Sequence, residues 1–318
     1  MNILLTGGAG YLGGTTTDFI EDRHFQVRVI DLLLFESIYH KDVHFYHLDV
    51  RDHTGLLPHL EWADCVVWLA ALVGDGACAL SPEIATAVNA ESVKWLTKVY
   101  KKRIIFPSTC SVYGAQDKLL DESAPTKPLS VYAKTKLQAE KYLAGSDALV
   151  LRLGTLYGLG DRFSRIRTDL VVNTLTIQAC MKGEITINGG NQWRPLTHVQ
   201  DVARLIASQL DTPHRGIYNV AGCNMQIKHL GKLLKESFPK LRIKTVPMDK
   251  KDARNYRVSS DKAGQELGWD AVLNPTNGIQ EVQAMIRQGR IPDPFHPRFS
   301  NERHLPGQLT KLETDHGE

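Results

Sequence analysis

The sequence predicts an α/β protein built on a doubly wound parallel sheet. Three observations carry this. Short apolar runs, mostly β-branched or aromatic, recur at 2–6, 26–30, 43–48, 64–70, 103–107 and 148–153, as expected of strands buried on both faces. Between several of them stand segments rich in helix formers, and strand–helix–strand alternation calls for a parallel sheet with right-handed crossovers. The first run also leads straight into a glycine-rich turn, "TGGAGYLGG".

That opening, "MNILLTGG", lacks the basic leader and long apolar segment of a signal peptide, so it reads as a strand entering the turn. Gly7, Gly10 and Gly13 fall in a G-x-x-G-x-x-G spacing, with Tyr11 and Leu12 between the last two. Glycine permits the tight turn and lets backbone N–H groups approach a pyrophosphate, which the following helix N-terminus also favours. The second strand ends at Asp31, 18 residues past Gly13, where a carboxylate accepts hydrogen bonds from ribose hydroxyls. "LLLF" follows it and supplies no cation, so a 2′-phosphate would meet only repulsion. NAD is expected over NADP. After the third strand, Asp49 and Val50 of "LDVRD" are placed to border an adenine.

Downstream, residues 81–102 open with serine then proline, a good N-cap and N1 pair, and 131–145 run in helix formers to a terminal glycine. The second half predicts a helix over 169–182, a strand, turn and helix over 185–210, and helices near 227–236, 260–267 and 276–288. The final stretch is rich in proline and charge, and its end is expected to be mobile. The expected division is a dinucleotide-binding domain over 1–165, with return segments near 192–212, and a tightly packed second lobe over 166–318.

Composition narrows the functional classes. The 318 residues are 42% hydrophobic and 23% charged with net charge +3, ordinary for a globular protein. No long basic run points to nucleic acid, and no apolar stretch reaches membrane-spanning length. Five cysteines, Cys65, Cys78, Cys110, Cys180 and Cys223, contain no CxxC, which fits a reducing, cytoplasmic setting. The histidines of 40–53 are not expected to hold a metal, since a strand over 43–48 turns His44 and His47 to opposite faces.

"VYAKTK" sets Tyr132 one helical turn before Lys136, on the same face. A neighbouring ammonium favours the phenolate and would bring a phenol down from ~10 towards neutrality. Such a group exchanges protons with a substrate hydroxyl. The plain alternative is a tyrosine packed on a lysine stem.

"TGGAGYLG" (6–13), Asp31, "LDVRD" (48–52), "LAA" (69–71), Asn89, "STCSVYG" (108–114), "YAKTK" (132–136), "LRLGTLYG" (151–158) and "RPLTHVQDVA" (194–203) occur in this order over nearly the whole chain. Together they resemble the extended short-chain dehydrogenase/reductase family, in particular its nucleotide-sugar epimerases and dehydratases. The resemblance implies a Rossmann-type domain with a smaller mixed α/β lobe for a nucleoside-diphosphate sugar. It implies that Thr109, Tyr132 and Lys136 are catalytic, with Tyr132 as acid/base and Lys136 also on the nicotinamide ribose. It places Leu69, Ala70, Ala71 and Asn89 at the cofactor, Asn173 near the sugar diphosphate and Arg194 near the nucleotide. It further implies a homodimer, its helices 81–102 and 131–145 paired across a two-fold axis; Val88, Trp95, Val99 and Leu137 are their apolar residues.

The sequence also departs from that pattern. Cys110 and Ser111, expected to contact the substrate, stand where many 4,6-dehydratases carry an Asp-Glu pair, so a dehydratase is disfavoured. The loop 71–83 brings Val73, Asp75 and Cys78 towards the sugar, and 160–169 carries Arg162, Arg165 and Arg167, apt for phosphate or a polar sugar. Asp249 falls where the epimerase pattern has an arginine, a role that passes to Arg254. The leading expectation is an epimerase acting through a 4-keto sugar. A nucleotide-sugar 4-dehydrogenase or ketoreductase comes second, and a non-catalytic dinucleotide-binding regulator last.

Overall fold

The computed structural model describes residues 1–21, 23–247 and 254–314. Seven parallel strands form the central sheet, in the order Gly216–Val220, Ala148–Leu153, Arg103–Thr109, Cys65–Trp68, Asn2–Thr6, Gln26–Asp31, His44–His47. Six are the runs read from the sequence. The seventh, "GIYNV", escaped because it is entered through a glycine of positive φ and its apolar run is broken by Asn219.

The strand residues alternate between two cores. Leu4, Val66, Ile104 and Val150 face one, while Ile3, Leu5, Val67, Ile105 and Leu151 face the other. Both faces are covered, which explains why the strands read as unbroken apolar runs. On the second face the helix Tyr11–Glu21 packs beside Val199–Ser208.

A smaller lobe holds a three-stranded sheet of Thr155–Tyr157, Trp193–His198 and Cys223–Gln226, two two-stranded sheets, and the helices Val171–Lys182, Ile227–Ser237 and Pro275–Arg287. Tyr157, Val172, Leu196, Leu230 and Ile279 form its core. The last helix starts at a capping box between Asn274 and Asn277.

The final stretch returns to the sheet as short helical turns from Pro297 onward. Asn301 Nδ2 donates to the Val73 carbonyl at 2.7 Å, and Arg51 Nη2 donates to that of Leu312 at 2.9 Å. Arg298 pairs with Glu36 at 2.8 Å. The mobile end expected from the sequence falls on 315–318 and Asp249 on 248–253, both outside the described residues. No helix among the described residues is long and apolar enough to cross a membrane.

Candidate active site

Strand order reverses between Asn2–Thr6 and Cys65–Trp68, and a doubly wound sheet opens a crevice at such a point. A cavity lies there. Its walls include Gly7, Gly10, Tyr11, Leu12, Gly13, Asp31, Asp49, Val50, Leu69, Ala70 and Ala71. Gly7 has φ +74°, and a Cβ there would stand 2.6 Å from the Ala70 nitrogen; one on Gly13 would stand 2.2 Å from the Gly7 carbonyl oxygen. Side chains at either place would close the cradle.

Asp31 is fixed by its own turn. Its carboxylate accepts from the Ala9 N–H at 3.0 Å and the Leu33 N–H at 2.8 Å. Desolvation nevertheless pushes its pKa up. Asp49 is held by Arg51 at 2.6 Å, with Val50 beside it on the cavity wall. The Tyr11 hydroxyl points away from the cradle and donates to the Gly158 carbonyl at 2.8 Å. A carboxylate for ribose hydroxyls, apolar walls and a side-chain-free turn form a set that fits a dinucleotide.

A second cavity opens beside the first. Val73, Ser108, Tyr132, Leu153, Leu156, Arg167 and Asn301 line both. Thr109 faces only the second and Lys136 only the first. Ser130 caps the tyrosine helix, accepting from Ala133 N–H at 3.2 Å and donating to Asp75 at 2.6 Å. Thr109 ends its strand and accepts from the Ser111 N–H at 3.1 Å. Behind them, Arg152 holds Glu140 at 2.7 Å, and Ser108 donates to the same carboxylate.

The phenol is not brought towards neutrality, contrary to the sequence reading. Desolvation pushes Tyr132 up, and Cys78 and Asp75 act in the same direction. Lys136 is 4% exposed, its Nζ 4.2 Å from the Phe106 ring centroid, and burial pulls it down to about 8. Desolvation is the largest influence on both groups and disfavours the charged form of each.

Four expected contacts turn elsewhere. Asn89 lines neither cavity: it lies in the π-helical segment Ala87–Glu91 and grips Leu72, accepting its N–H at 2.8 Å and donating to its carbonyl at 2.9 Å. It therefore braces the cofactor wall from behind. Cys78 donates to the Leu72 carbonyl at 3.2 Å, and burial pushes its thiol up to about 12. Cys110 is buried and donates to the Arg152 carbonyl at 3.1 Å. Asn173 bonds both backbone groups of Gly158 and the Arg167 carbonyl, so it shapes the arginine loop without facing the second cavity.

Val73, Asp75, Ser111, Arg194 and Arg254 do line the second cavity. Arg254 pairs with Asp75 at 3.0 Å, and Arg194 donates to the Arg254 carbonyl. Ser111 and Tyr256 share a hydrogen bond at 3.1 Å. Sequence reasoning missed Tyr256, Asp169, Gln178 and the tail residues Ser300, Asn301 and Glu302. They come from separate segments, and no local motif marks them.

With this geometry in view, comparison with known proteins is informative. The model of the NAD dependent epimerase/dehydratase family matches residues 3–221. A UDP-glucose 4-epimerase of Halalkalibacterium halodurans is 28% identical over 305 residues, covering 85% of this chain and 90% of its own. The UDP-glucose 4-epimerase of Thermotoga maritima, solved with UDP-glucose, superposes with a TM-score of 0.78 at 25% identity, covering 91% of this chain and 99% of the other. A dTDP-glucose 4,6-dehydratase of Streptomyces venezuelae, solved with NAD bound, shares the fold at 22% identity, with a TM-score of 0.79 and coverage of 91% and 98%. The family match spans more than half the chain and includes the whole glycine cradle, so this protein belongs to the NAD-dependent epimerase/dehydratase family and is an enzyme that uses NAD.

Proposed function

We propose that the protein is a nucleoside-diphosphate-sugar epimerase acting through a 4-keto sugar. The observation that carries this is Tyr132 on the wall shared by the two cavities, with Thr109 on the sugar side and Lys136 on the cofactor side. NAD, held by the glycine cradle and Asp31, would supply a reversible hydride acceptor at the sugar C4. Thr109 hydrogen-bonds the reacting oxygen, and Tyr132 takes the C4 hydroxyl proton and gives it back. Lys136, on the same helix face, supplies the positive charge that offsets the desolvation of the phenolate. Arg194 and Arg254 suit the sugar diphosphate, because a guanidinium binds its oxygens in a planar fork. Cys110 is buried and Ser111 is a poor acid, which supports epimerisation over dehydration.

The test is to offer UDP-, dTDP- and GDP-sugars and follow both the sugar by NMR and the nicotinamide absorbance. An inverted C4 centre, with absorbance returning to its start, supports the reading. Build-up of NADH with a 4-keto product would replace it with a 4-dehydrogenase.

We further propose a homodimer formed through the outer faces of Pro82–Val99 and Val131–Leu143 in a reducing cytoplasm. Val99 is exposed there, whereas Val88 packs inward and Trp95 stacks on His53. Sedimentation giving a monomer at all concentrations would remove the dimer.

A further inference from the structure

Arg165 is 6% exposed and lines the dinucleotide cavity. Its guanidinium lies 3.7 Å from the Phe35 ring centroid, and Nη2 makes one long bond, 3.4 Å, to the Arg298 carbonyl. Its Nε is buried with no hydrogen-bond partner among the described residues. The surrounding carboxylates are otherwise engaged. Asp169 is held by Arg167 at 2.9 Å, Glu36 by Arg298 at 2.8 Å, and Asp31 by two backbone N–H groups. Burial and the like charge of Arg167 pull Arg165 down to about 9. A buried cation so poorly matched is unfavourable unless an anion joins it.

The fold nevertheless holds this loop rigidly. Lys41 bridges Asp18 and Asp161. Arg290 donates to the carbonyls of Asp161 and Arg162 at 2.7 and 2.6 Å. Ser164, the neighbour of Arg165, packs on Gly14 in the first helix, where an added Cβ would lie 3.0 Å from its Oγ. Arg165 is thus set beside the helix start that follows the glycine turn, the end that attracts a pyrophosphate.

We propose that Arg165 is a pyrophosphate-binding residue of the cofactor site, presented to the cavity that the glycine turn also lines. This rests on the NAD assignment and adds a side-chain anion partner to what is otherwise a backbone cradle.

Calorimetry on NAD-stripped enzyme, with adenosine and ADP as probes, tests it. The wild type should bind ADP more tightly than adenosine. Arg165→Met should shrink that ratio by roughly 10–100-fold, the range for a charged hydrogen-bonded contact, and leave adenosine affinity nearly unchanged. Arg165→Lys should recover part of the ratio. The NAD-free Arg165→Met protein should melt no lower than wild type, since it loses an unmatched buried charge. An unchanged ADP-to-adenosine ratio would overturn the assignment. Equal loss of both ligands with a lower melting temperature would do the same, because it marks a merely structural arginine. If wild type bound neither NAD nor ADP, the cofactor assignment itself would fall, a result distinct from either.

Discussion

The two cavities meet at one tyrosine but are built in opposite ways. The cofactor cavity is mainly backbone and apolar wall, drawn from the ends of consecutive strands, with most of its residues before position 74. The second cavity, the proposed sugar site, is lined from separated stretches: 73–77, 108–111, 132, 153–156, 167–178, 186–194, 227, 254–256 and 300–302. NAD has one invariant pyrophosphate, which a local glycine spacing accommodates. A sugar nucleotide varies, and its recognition is gathered by topology. Changes in the first cavity should therefore act on cofactor binding, and changes in the second on substrate KM. Tyr132, on the shared wall, should act on chemistry alone, whereas Thr109 and Lys136, each in one cavity, should affect binding and chemistry together.

The largest effect tests that shared wall. Tyr132→Phe removes one oxygen, from a hydroxyl that makes no side-chain hydrogen bond among the described residues. It should keep the melting temperature and NAD affinity yet lose roughly 10²–10⁴-fold in kcat, the usual worth of general acid–base catalysis. Near-normal turnover would show that the Tyr132–Lys136 pairing is only packing.

Gly7→Ala tests the cradle. Its Cβ would stand 2.6 Å from the Ala70 nitrogen at a φ of +74°. Overpacking typically costs about 1–3 kcal/mol, and the left-handed backbone adds roughly 1 more. NAD affinity by calorimetry should fall steeply, with KM for the sugar nucleotide unchanged at saturating NAD. A KM rise without loss of NAD affinity would break the division between the cavities.

Arg194→Ala is the counterpart on the other side. Losing a guanidinium from a charged contact is worth about 1.5–3 kcal/mol, so KM should rise roughly 10–100-fold while NAD affinity holds. Equal losses in both would mean that Arg194 serves the fold through the Arg254 carbonyl and not the substrate.

What was legible in the sequence follows the same division. Gly7, Asp31 and Ala70 could be read because each sits at a strand end in a short recognisable spacing, and the helix Val131–Leu143 because its own propensity and cap define it. Cys78, Cys110 and Asn173 were placed on the sugar because motif position was read as direction. The backbone instead turns their side chains onto Leu72, Arg152 and Gly158. Asn301 and Glu302 were illegible for another reason. They reach the cavity through contacts with residues over a hundred positions away, including the Val73 carbonyl and an Asp169 oxygen that accepts the Asn301 N–H at 2.8 Å. The raised phenol pKa was missed because spacing reveals the nearby charge but not the loss of water around it.

The smallest effect concerns that loss of water. Burial holds Lys136 at about 8 in the folded protein, against ~10.4 in an unfolded chain. A lysine with a depressed folded pKa burdens stability below both values, where it is charged in both states. Between about 8 and 10 the unfolded chain binds the extra proton, so this residue makes stability rise with pH, by at most about 1.4 kcal/mol per unit. The window closes near 10, where Tyr132, pushed up by burial, begins to favour the unfolded state. Lys136→Met should remove this slope in NAD-free protein, measured by denaturant unfolding from pH 7 to 10, and raise stability at pH 7. It should also abolish most turnover, so stability and activity move in opposite directions. If wild type and Lys136→Met show parallel stability curves, the ammonium is solvated. The electrostatic support proposed for Tyr132 would then be screened as well, leaving the lysine only its place on the cofactor wall.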